Sequence, residues 1–65
     1  MNIEQLIETR KQEIKELNKF RSYIQMLDEN AELSNETISE FKFKINIRIS
    51  QCEICIREYQ KDIER

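Results

Sequence analysis

Two stretches of the chain place apolar residues at steps of three and four, the interval at which side chains return to one side of an α-helix. The first runs Ile3, Leu6, Ile7, Ile14, Leu17, Phe20, Ile24 and Leu27, and predicts a helix over residues 3–27. Asn2 stands where a cap belongs, and Gln5 follows at the spacing of a capping box. The stripe is broken from Glu8 to Glu13, where every residue is polar and Arg10 occupies the place of the next apolar side chain. Such an arginine is expected to lay its stem along the seam or to meet a carboxylate across it. The second stripe is Ile38, Phe41, Ile45, Ile49, Cys52, Ile56, Tyr59 and Ile63, predicting a helix over residues 38–63. Between them, Asp28 to Thr37 is polar and favours a loop of about ten residues. Thr37 with Glu40 forms a capping box for the second helix, and Ser34 or Asn35 offers a start one turn earlier.

One segment also carries the opposite period. Phe41-Lys42-Phe43-Lys44-Ile45-Asn46-Ile47-Arg48-Ile49 alternates apolar and polar without a fault, as a half-buried strand does. No other segment alternates, so such a strand would have to pair edge to edge with a second chain. On a helix turning about 100° per residue, the leftover Phe43, Ile47 and Ile54 gather into a second stripe opposite the first. Helix is the favoured reading, and the strand survives only if two chains pair edge to edge.

The expected fold is all-α: one domain, residues 1–65, folded as an antiparallel two-helix hairpin. Its core is expected to be Ile7, Ile14, Leu17 and Ile24 against Ile38, Phe41, Ile45, Ile49, Cys52, Ile56 and Tyr59. A chain this short buries only about 60% of the surface that its unfolded form exposes. Phe43, Ile47 and Ile54 are therefore expected to pack a second copy, most simply as a dimeric four-helix bundle. The architecture resembles that of the small dimeric four-helix bundles, a likeness that implies a shape and not an activity.

Composition narrows the chemistry. The 65 residues include no Gly, Pro, His or Trp. Lacking Gly and Pro, the chain is poorly equipped for the tight turns of most β and α/β folds. Lacking His, it is without the commonest general base and metal ligand near neutral pH. No apolar run approaches the roughly 18 residues of a membrane span, and the start Met1-Asn2-Ile3-Glu4 has no basic leader, so a cytoplasmic location is expected. Net charge is −2, which gives no overall pull towards nucleic acid. The charges are unevenly spread. Arg10 to Arg21 holds five bases against two acids, whereas Asp28 to Glu40 holds five acids and no base.

Each candidate motif has a plainer reading. Cys52-Glu53-Ile54-Cys55 is a single CxxC, a spacing that serves zinc or redox chemistry when a second pair or a helix start accompanies it. Here neither does, so both thiols are expected to be packing residues, and a metal at Cys52 and Cys55 would need a second chain. Lys42, Lys44 and Arg48 sit among aromatics, as in some nucleic-acid surfaces, but a helix spreads them over both sides of the apolar stripe. The acidic stretch lacks the turn glycine of a calcium loop. Ile3-Glu4-Gln5-Leu6-Ile7 with Ser50-Gln51 is superficially similar to the small sporulation aspartyl-phosphate phosphatases, themselves helical hairpins. Their signature continues from Ser-Gln into Leu-Asp, whereas Cys52, Glu53 and Ile54 follow here. That function is not carried over. The expectation is a non-enzymatic, cofactor-free, self-associating protein that binds a larger protein as adapter, inhibitor or regulator. Small compact chains of this kind are common in phages and mobile elements. The alternative is an RNA-binding dimeric regulator.

Overall fold

The computed structural model describes residues 2–30 and 32–64, apart from the side chain of Asp28. Two helices make up the fold: α1, Ile3–Glu29, and α2, Asn35–Glu64. They lie side by side as a hairpin of 49 × 15 × 14 Å. Phe41 to Ile49 is helical throughout, and no strand occurs among the described residues. The alternation across this segment reflects two apolar faces of one helix.

Local chemistry sets the ends. At the start of α1 the Gln5 backbone N–H donates to Asn2 Oδ1 at 2.8 Å, and the Asn2 N–H donates to Gln5 Oε1 at 3.3 Å. This reciprocal pair satisfies two amides that the first turn leaves open. α1 runs two residues past the expected end. It is closed by Asn30, whose side-chain amide donates to the Met26 carbonyl at 2.9 Å, and by Glu32, whose N–H reaches the Leu27 carbonyl at 3.1 Å.

α2 starts three residues before the expected Ile38. Ser34 is its cap: Ser34 Oγ accepts the Thr37 N–H at 3.2 Å and donates to Thr37 Oγ1 at 2.8 Å. The Thr37–Glu40 box is thereby bypassed, because a serine one turn upstream lets three more residues join the helix. The loop shortens accordingly, to residues 30–34. Ala31 and the Asp28 side chain of the acidic stretch lie outside the described residues.

The seam is narrow. Ile24, Ile38 and Ile45 form the core near the tip, with Leu17, Leu27 and Ile49 packed against them. Ile7 and Cys52 are buried further along, Cys52 most completely at 1% exposure. Ile14, Ile56 and Tyr59 are half-buried. Phe41 departs from the expected core and stands 44% exposed. On α2 it points about 50° away from the line of Ile38 and Ile45, and a two-helix hairpin has no third element to cover that flank. Phe20, on the expected stripe of α1, is half exposed for the same reason.

Candidate functional site

Three features rise above the ordinary solvated surface: a polar cluster on one flank of the seam and one apolar patch on the outer side of each helix.

The polar cluster fills the break in the α1 stripe. Arg48 of α2 reaches across to Glu13 in a two-pronged ion pair, Nε to Oε2 at 2.5 Å and Nη2 to Oε1 at 3.1 Å. Arg10 joins from the same helix as Glu13, at 3.4 Å, rather than meeting a carboxylate across the seam. The hydrogen bond from Arg48 holds the Glu13 carboxyl below the usual carboxylate range, against an opposing effect of desolvation. Burial, followed by the negative charge of Glu13, pushes the Cys52 thiol above its ordinary range. A thiol held neutral in this way is a poor nucleophile and a poor metal ligand. Cys52 therefore packs against the ion pair, and both cysteines are free thiols. No group of three or more metal-ligating side chains occurs among the described residues.

The other flank of the seam is uncharged on one side of each contact. Arg21 Nη1 donates to Asn46 Oδ1 at 2.6 Å and Nη2 to Asn18 Oδ1 at 2.7 Å, while Lys42 Nζ donates to Gln25 Oε1. Lys42 and Arg48 thus lie on opposite flanks, each engaged with α1. The structure does not gather Lys42, Lys44 and Arg48 into one basic surface.

Phe43, Ile47 and Ile54 are 65%, 43% and 51% exposed. They lie about 180° round α2 from Ile38, Ile45 and Cys52, so the hairpin seam cannot reach them. The three residues singled out in the sequence share one open face.

The second patch was not anticipated. Phe20, Tyr23 and Met26 are each half or more exposed on α1, with Lys15 and Lys19 exposed beside them. Its signal was present in the sequence as an apolar series at steps of three, Phe20, Tyr23 and Met26, running alongside the main stripe. The Glu13–Arg48 pair was also missed, since pairing between helices depends on a register that periodicity alone leaves free.

No helix of the described residues is long and apolar enough to cross a membrane. Compared with known proteins, the chain matches no family model, no curated protein and no solved structure.

Proposed function

We propose that this protein is a non-enzymatic, self-associating helical hairpin that acts by binding a larger protein, as adapter, inhibitor or regulator. The observation that carries self-association is the open row on α2, set against the surface that the hairpin exposes. A compact monomer of 8.0 kDa exposes about 4,450 Å², whereas this chain exposes 5149 Å². The excess, about 700 Å², is close to the roughly 800 Å² that each partner contributes to a standard interface. The radius of gyration, 15.0 Å against about 11 Å for a compact domain of this length, supports the same reading.

Pairing of the two α2 rows with each other would depart from the dimeric four-helix bundle expected from the sequence. The α2 row and the hairpin seam lie on opposite sides of one helix, whereas the neighbours of a helix in a square bundle lie about 90° apart. The four helices then form a flat layer, with the two α2 helices central and the two α1 helices outside. The absence of His and the burial of Cys52 support a binding role over a catalytic one. Lys42 and Arg48, already engaged on opposite flanks, give the RNA-binding alternative no support. Sedimentation equilibrium at tens of micromolar tests the assembly: a dimer is expected, and a folded monomer would refute it.

A further inference from the structure

The geometry points to the outer face of α1 as a docking site for an acidic amphipathic helix of a partner protein, through Phe20, Tyr23 and Met26 with Lys15 and Lys19. This deepens the binding role proposed above by naming its surface and the chemistry of its partner.

The argument begins with placement. At about 100° per residue, Lys19 and Met26 point in one direction on α1, with Tyr23 about 40° to one side and Lys15 about 40° to the other. Phe20 continues the apolar surface towards the seam. Lys15, Lys19, Tyr23 and Met26 face away from α2, and Phe20 stands half exposed on the flank, so neither the hairpin nor pairing through α2 covers the patch. In the flat layer they remain open at both outer edges, one patch per copy. Three large apolar side chains, each half or more exposed and contiguous on one helix, mark an interaction site more than a solvated face.

Charge selects the partner. From Lys15 to Leu27 the chain carries Lys15, Lys19 and Arg21 against a single acid, Glu16, which is exposed on the same side of α1. Arg21 is engaged with Asn18 and Asn46 on the seam flank. Among the described residues no carboxylate oxygen lies within 4 Å of Lys15 or Lys19, and the nearest acid in sequence, Glu16, accepts from Gln12 at 3.2 Å. Two free ammonium groups bordering an apolar strip complement a helix that lays an apolar stripe into the strip and sets carboxylates along its edge. A phospholipid surface fits less well, because two lysines attract an anionic leaflet only weakly. Nucleic acid is disfavoured by the net charge of −2 and by the acidic stretch that begins two residues after Met26.

The test is selection from a random library of helical peptides. It compares the full-length protein, a Lys15→Glu/Lys19→Glu variant and a Phe20→Ser/Tyr23→Ser variant, with circular dichroism confirming that each folds. The wild type should enrich peptides with an apolar stripe bordered by Asp and Glu. The charge-reversed variant should bind these at least 10-fold more weakly and enrich Lys- and Arg-bordered peptides instead, and the serine variant should enrich neither. Pools without acidic bias, or identical pools from wild type and charge-reversed protein, would overturn the proposal. So would lysine-dependent binding to vesicles of 30% phosphatidylglycerol, or to poly-U RNA at 0.15 M salt, with no peptide enriched. Sedimentation of the same variants separates the two readings: a dimer that survives both double substitutions while peptide selection fails leaves self-association standing and removes only the α1 site.

Discussion

Replacing Ile47 by glutamate sets a charge in the middle of the open row on α2, and the effect on assembly follows from areas. An α2 interface of about 700 Å² on each copy, near the standard size and somewhat over half of it apolar, would remove about 800 Å² of apolar surface per dimer and contribute about 20 kcal/mol. Lost freedom of the two bodies and ordering of the interfacial side chains together cost about 13 kcal/mol. The remainder, about 7 kcal/mol, corresponds to a Kd on the order of 10 µM. Ile47 is 43% exposed, so the dimer buries about half a side chain more, worth about 1 kcal/mol on each copy. Glutamate forfeits this twice by symmetry and leaves two carboxylates against an apolar surface, for a further cost of about 2 kcal/mol. The expected total, about 4 kcal/mol, weakens the dimer about 1000-fold. Sedimentation equilibrium between 5 and 200 µM, loadings set around that Kd on the order of 10 µM, should show wild type moving from mixed species to dimer. Ile47→Glu should remain at 8.0 kDa, or unfold if the hairpin depends on its partner. Gln60→Glu, an exposed site on the same helix, serves as the control for added charge. A wild type that stays a folded monomer at 200 µM, with a Tm independent of concentration, would refute the reasoning.

Stability against pH should form a plateau between about pH 5 and pH 8. Glu13 is lowered on folding, so its contribution is complete above the ordinary carboxylate range and lost as pH falls through its folded value. Cys52 is raised, so its contribution is complete below the ordinary thiol range and lost as pH rises through its folded value. Urea titrations across pH should show Glu13→Gln flattening the acid limb and Cys52→Ala the alkaline one; unchanged limbs would contradict the coupling. Cys52→Ala should cost about 1–2 kcal/mol by emptying a buried site, with Cys55→Ala below about 0.5 kcal/mol and EDTA without effect on either melt. Ser34→Ala should cost about 1 kcal/mol as a lost cap, read from the urea midpoint, while Glu40→Ala should cost less than half of that; the reverse order would return the helix start to Thr37.

The two helices were legible because their stripes hold the helical period for more than 20 residues each, and Asn2 with Gln5 marked one end correctly. The second start was misplaced because Ser34, Asn35 and Thr37 are all competent caps, and local sequence cannot rank caps that lie within one turn. Phe41 was misassigned for a different reason. A step of three or four shows that a residue lies near the stripe, but two-helix packing buries only a narrow arc of it. The row of Phe43, Ile47 and Ile54 could be read because its residues had no place in the seam. Phe20, Tyr23 and Met26 were overlooked because Phe20 had already been absorbed into the main stripe. That stripe concealed the patch beside it.

The polar break in α1 has its own logic. A seam of repeated isoleucines packs nearly as well when one helix slides by a heptad, since Ile38, Ile45 and Cys52 follow one another at intervals of seven. Sliding by that amount would set Glu13 against Phe41 or Cys55 in place of Arg48, and would part Arg21 from Asn46 and Lys42 from Gln25. Glu13 would then lie beside Phe41 or Cys55 in place of a guanidinium, so its ion pair with Arg48 favours the observed register. The polar break in α1 therefore gives up apolar area along the seam and, through Glu13 and Arg48, favours one alignment of the hairpin.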